Sequence, residues 1–131
     1  MIKVKELRIG NYVMCALKTD ALHTDFIGRI RSIHKDAVNI QSELCTDIFE
    51  DEIYPIPLTE ELLLKCGFKN KCEGVENWYE KPMPSIGCLI WIKDKGYLTD
   101  VSEEILNIRY MHQLQNLHFA ITGKELELPV L

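Results

Sequence analysis

Two sets of residues in this chain have the types and spacing to bind a ligand. The first is Arg8, Arg29 and Arg31, lying near Tyr12 and Phe26 in the N-terminal segment. Arginine pairs phosphate through its planar fork and also stacks on bases, and aromatic neighbours extend that stacking surface. In an extended strand Arg29 and Arg31 share one face, opposite Ile30, provided that a bulge or bend at Gly28 does not shift them. The second set sits in YMHQLQNLHFAITG (110–123), fourteen residues with helical spacing and no Asp, Glu, Lys or Arg. At 100° per residue, Tyr110, Leu114, Leu117 and Ile121 fall within about 60° of one another and make a core-facing stripe. Opposite lie His112, Gln115, Asn116 and Phe119. Amides present a donor and an acceptor together, and imidazole and phenyl rings stack, so this face suits a base or nucleotide. The intramolecular alternative is a helix covered on both sides by its own chain, its amides and imidazole satisfying backbone groups. The predicted ligand-binding set is therefore Arg8, Tyr12, Arg29, Arg31, His112, Gln115, Asn116 and Phe119.

Other chemistries find less support. The chain has no GxxxxGK[ST] or GxGxxG phosphate loop, no HExxH and no GxSxG. Its acidic pairs, Asp51-Glu52, Glu60-Glu61 and Glu103-Glu104, are adjacent residues whose side chains diverge, which suits solvated caps better than general acid–base couples. The five cysteines, at 15, 45, 66, 72 and 88, form no CxxC pair and are odd in number, as expected of reduced thiols buried as small hydrophobes. A zinc site from Cys66, Cys72, His112 and His118 fails on spacing, because the two histidines stand about 120° apart on a helix. No metal and no cofactor is expected. A Cys–His nucleophile built from distant positions is the one catalytic reading left, and a non-enzymatic protein is the preferred one.

Charge is distributed unevenly. Residues 1–35 hold seven Lys/Arg against three acids, a net +4, and the remainder holds eight against seventeen, a net −9. Such asymmetry steers polyanions to one part of a molecule, although the same charges also serve simply to solvate strand faces and pair across them. An overall pI near 5.4 argues against a general duplex binder and in favour of a compact anionic ligand. Apolar runs such as CLIWI (88–92) are far too short to span a bilayer, and MIKVKELRIG lacks a signal-peptide core, so a cytoplasmic protein with no membrane partner is expected.

The elements that must position these residues follow from periodicity and punctuation. ELRIGNYVMCAL (6–17) starts a strand after a tight turn at Gly10-Asn11. DFIGRIRSIH (25–34) and AVNIQ (37–41) alternate across a turn at 34–36, and LCTDIFEDEIYPIPL (44–58) supplies one or two more strands. Thr59 caps a short helix over 60–66, with Gly67 at C′ and Phe68 folding back on it. Residues 69–76 read as a polar loop. NWYEK (77–81), GCLIWIK (87–93) and GYLTDV (96–101) read as strands with a hairpin at 94–96, and 102–108 as a short strand or a helical turn. The 110–123 helix stops at Gly123, and ELEL (125–128) reads as a last strand. The predicted architecture is α+β: an N-terminal SH3-like small β-barrel over 1–58, packed on a C-terminal part over 59–131 with an antiparallel sheet and two helices, sharing one core.

Three blocks, ELRIGNYV, PIPLTEELLLKCGF (55–68) and HQLQNLHFAITGKEL (112–126), together resemble a family of small proteins of Bacteroidota-type genomes and of their phages and mobile elements. The chain departs from that pattern at Met111 and His118, where the family has Val and Tyr. The resemblance implies a setting and carries no activity. In that setting the expected function is non-enzymatic binding of an anionic ligand, a nucleotide or nucleic acid, by the basic barrel and the uncharged helix face. The alternatives are stoichiometric sequestration of a nucleotide immune signal, an anti-defence role, and a protein–protein adaptor or inhibitor, with the helix face docking a partner or a second copy in a homo-oligomer.

Overall fold

The computed structural model describes residues 2–19, 22–41, 47–73, 76–83, 87–92, 98–99, 108–126 and 128. The chain forms two compact units, Met1–Ile56 and Pro57–Leu131. The class is α+β, with two antiparallel sheets and two α-helices among the described residues. Among the described residues no helix is long and apolar enough to cross a membrane.

The first unit is a five-stranded sheet of order β4-β3-β2-β1-β5, built from β1 (Tyr12–Thr19), β2 (Leu22–Ile33), β3 (Ala37–Gln41), β4 (Asp47–Phe49) and β5 (Ile53–Tyr54). Among the described residues no pairing joins β4 to β5, so the sheet is not closed into a barrel by hydrogen bonds. Alternation sorts the side chains. Val13, Cys15, Ile30, Val38, Ile40, Ile48 and Ile53 point inward and are buried, and Ile2, Val4 and Leu7 of the N-terminal segment join them in one core cluster. Ile2 N–H also donates to the Ile53 carbonyl at 3.3 Å, partly capping the β5 edge.

Two details differ from the sequence expectation. Gly28 is not a bulge: β1 and β2 pair without interruption from Tyr12–Arg29 to Thr19–Leu22. The irregularity falls three residues later, where Ile30 opposes Ile40 but Ser32 opposes Asn39, leaving Arg31 as the extra residue. Gly28 is there for space, since a side chain would collide with the Ile40 Cγ2 methyl.

The second unit begins with α1 (Glu60–Lys65), whose local signals all act as read. The Thr59 hydroxyl accepts from Leu62 N–H at 3.2 Å. At the other end Gly67 has φ 91° and donates to the Leu64 carbonyl, while Phe68 donates to that of Leu63, the two bonds of a Schellman stop. Then follows a four-stranded meander, β6 (Lys69–Glu73), β7 (Glu76–Met83), β8 (Gly87–Ile92) and β9 (Leu98–Thr99). β6 replaces the loop expected over 69–76. Its sequence, KNKCE, has no apolar alternation because it is an edge strand, where lysine discourages further pairing. β7 grips α1 at both ends: Tyr79 Oη donates to Glu60 Oε2 at 2.9 Å, and Lys81 Nζ donates to the Cys66 carbonyl at 2.6 Å. The chain then reaches α2 (Met111–Thr122) through Leu98 N–H to Ile108 O, Leu58 N–H to Arg109 O and a bridge between Pro57 and Tyr110. No strand forms at 125–126 or 128, where ELEL was expected to make one. The expected hairpin at 94–96 and the ambiguous stretch before Ile108 lie outside the described residues.

Gly28→Ala is expected to destabilise the protein by about 1–3 kcal/mol in urea unfolding. Combined with Ile40→Ala it should cost measurably less than the two single changes added together, because the collision is with that side chain.

Candidate functional site

The outer face of the first sheet is where the N-terminal candidates meet. A turn at Arg8–Asn11 feeds β1: Asn11 N–H donates to the Arg8 carbonyl at 3.1 Å, and Gly10 supplies φ 95° at the third position, as a type II turn requires. The buried Asn11 side chain braces the turn from inside, its Oδ1 accepting from Arg8 N–H at 2.7 Å. Gly10 N–H to Ile30 O and Ile30 N–H to Asn11 O then lock the turn to β2. These bonds fix the register that sets Tyr12 opposite Arg29, and the Arg29 guanidinium lies over the Tyr12 ring, 5.6 Å from its centroid.

Alternation and pairing add neighbours that the sequence reading missed. Met14 shares the Tyr12 face, Ile27 opposes Met14 from β2, and Tyr54 opposes it from β5. Ile27 is 41% exposed, and Tyr12, Met14 and Tyr54 are half-buried. Strand period alone yields Met14, but Tyr54 arrives through a non-local pairing that no local pattern announces. Arg29 and Arg31 are both exposed with Ile30 buried between them, and among the described residues neither makes an ion pair. Arg8 is half-buried at the head of the turn. Phe26, opposite Cys15, packs instead against the core.

The helix candidates separate. His112 and Gln115 are each 2% exposed, Asn116 is half-buried, and Phe119 is 40% exposed. Leu114 is buried as the wheel predicts, but Met111 is buried with it, and Leu117 and Ile121 are only half-buried. The buried arc is thus turned toward Met111 and Gln115, away from the leucine stripe. His112 stacks parallel to Tyr110 with centroids 6.2 Å apart. Over its first turns the helix is therefore covered within the chain along one wide arc, from Leu114 round to His112, and Phe119 marks what is left open.

The thiols of Cys15, Cys66 and Cys88, those among the described residues, resist ionisation. Burial, reinforced by the Glu52 charge, pushes Cys15 from 9.0 to about 12. Burial pushes Cys66 to about 11 against the opposing pull of Lys81, and burial and Glu80 raise Cys88. A Cys–His nucleophile needs the reverse, a thiolate available near neutrality. Among the described residues no three His, Cys, Asp or Glu side chains converge as metal ligands. No family model, curated protein or solved structure matches the chain.

Two outcomes test this geometry. Phe119→Asp should leave unfolding free energy within about 0.5 kcal/mol of the parent, whereas Gln115→Asp, placing a charge in a buried position, should cost about 3 kcal/mol or more. For Cys15, the folded protein keeps a proton that the unfolded chain has lost above about pH 9. Stability is therefore full below that pH and declines as the pH rises toward 12. Urea midpoints measured from about pH 8 to about pH 10.5 should fall less steeply in Cys15→Val than in the parent, the tyrosine and lysine titrations being common to both.

Proposed function

We propose that this protein is a non-enzymatic binding protein whose ligand is anionic and base-bearing, a nucleotide or nucleic acid, held on the outer face of the first sheet. The observation that carries this reading is the Arg29 guanidinium stacked over Tyr12 at 5.6 Å, a cation already set on an aromatic plane at an exposed position. Such a pair offers charge to a phosphate and a flat surface to a base at once. Arg31, displaced onto the bulge beside it, adds a second exposed guanidinium. We read the five-stranded unit as an SH3-like barrel. Its strand order and the 3₁₀ turn at Glu50–Glu52 leading into β5 support that reading. Placement in the phage and mobile-element family, and with it a role against host defence, rests on the sequence resemblance alone.

The adaptor reading keeps one observation in its favour, the exposure of Phe119, and the same binding experiment separates it. Fluorescence anisotropy with a labelled 12-nucleotide single strand, a duplex and a nucleotide panel is expected to show binding that weakens steeply with KCl. Arg29→Ala with Arg31→Ala should lower affinity at least about tenfold and flatten the log–log salt slope for the single strand by about 1.4, two phosphate contacts at about 0.7 each. Absence of binding to every one of these probes at about 50 mM salt, with circular dichroism unchanged, would remove the reading and leave protein partners.

A further inference from the structure

We infer that the ligand of this face is a single-stranded nucleic acid engaging at least two nucleotides, one base on the Tyr12–Arg29 pair and a second on Tyr54. This rests on the proposed binding reading and narrows its ligand class. Tyr12 and Tyr54 lie on the same face, because Tyr54 opposes Met14, two residues along β1 from Tyr12. Met14 and Ile27 complete a row with Tyr54 across β5, β1 and β2. The outward face of an antiparallel sheet is ordinarily polar, and here it carries Tyr12, Met14, Ile27 and Tyr54 instead.

The spacing selects the ligand. Diagonal neighbours on adjacent strands stand about 7–8 Å apart. Successive bases in a duplex are about 3.4 Å apart along a strand and turn their faces to one another, so a duplex cannot lay two of them on two coplanar platforms. An unpaired strand can splay its bases and set one on each, with the intervening phosphate passing over the sheet. Charge complements this: Arg29 flanks Tyr12 on the side toward β3, and Arg31 stands exposed further along β2. A mononucleotide fills one platform and leaves the other, with its apolar row, open to water.

The deciding experiment titrates the full chain with a 5′-labelled mixed-sequence 12-nucleotide DNA, with the same strand annealed to its complement, and with AMP as competitor. The expected result is single-strand binding at least about tenfold tighter than either alternative, weakened about 5- to 100-fold by Tyr54→Leu and retained by Tyr54→Phe. Leucine keeps the apolar bulk beside Met14, and a thermal melt of each variant checks the fold; should Tyr54→Leu unfold, Tyr12→Leu gives the same comparison at the other platform. Equal affinity for duplex or for AMP, or full binding by folded Tyr54→Leu while Arg29→Ala is impaired, overturns this inference and leaves the broader reading standing. No binding of any probe overturns both.

Discussion

Because Gly28 has no side chain, the Ile40 methyl can lie directly on the β2 backbone, and β2 can run straight past β1 and β3 at once. That close approach keeps the β1–β2 ladder regular over eight pairs, from Tyr12–Arg29 to Thr19–Leu22. The irregularity is passed to Arg31, beyond the last buried isoleucine of the strand. A one-residue slip would exchange the inner and outer faces, burying Tyr12 and Arg29 and exposing Val13 and Cys15. The proposed binding face is thus a consequence of how the core closes beneath it. Its cation and its aromatic ring meet because the register permits no other pairing.

What could be read from the sequence was what is encoded locally. Thr59, Gly67 and Phe68 announce the start and stop of α1 because capping is a matter of a few adjacent residues. The Gly10-Asn11 turn was legible for the same reason. β6 was not, because KNKCE is a polar edge strand whose only claim to the sheet is its pairing with β7. Tyr54 was missed as a member of the candidate face for a related reason: β5 returns to β1 after some forty residues, and no window of the sequence contains both. The bulge was assigned to Gly28 because glycine in a strand signals either a bulge or a close approach, and only the packing partner, Ile40, tells which.

The same sheet that presents the arginines withdraws the Cys15 thiol. Cys15 follows Met14 on β1 and lies on the inner face opposite Ile53, one residue from the position that Tyr54 faces, yet its sulfur sits in the core and its proton is held far above neutrality. Alternation separates the two chemistries by a single residue: soft and buried on one side of β1, aromatic and cationic on the other. An acidic protein can carry a binding site for an anion under these conditions, because a few exposed guanidiniums on one face act within a Debye length, about 8 Å at physiological salt, whatever the net charge elsewhere.

The uncharged helix at 110–123 has a parallel explanation in its ends. A helix usually recruits acids to its first turn and bases to its last, and α2 has neither. Just ahead of its first turn a neutral amide reaches back: Gln113 Oε1 accepts from the backbone N–H of Arg109 at 2.9 Å and of the N-cap Tyr110 at 3.1 Å. At its C-terminus Gly123, at φ 72°, donates to the Phe119 carbonyl, Thr122 Oγ1 donates to the His118 carbonyl at 2.8 Å, and His118 Nδ1 donates to the Lys124 carbonyl at 2.9 Å. Its first turns are buried at Met111, His112, Leu114 and Gln115, where a full charge would be costly to desolvate. With neutral groups bonding at both ends and its first turns buried along one wide arc, the buried positions of those turns gain nothing from a charge.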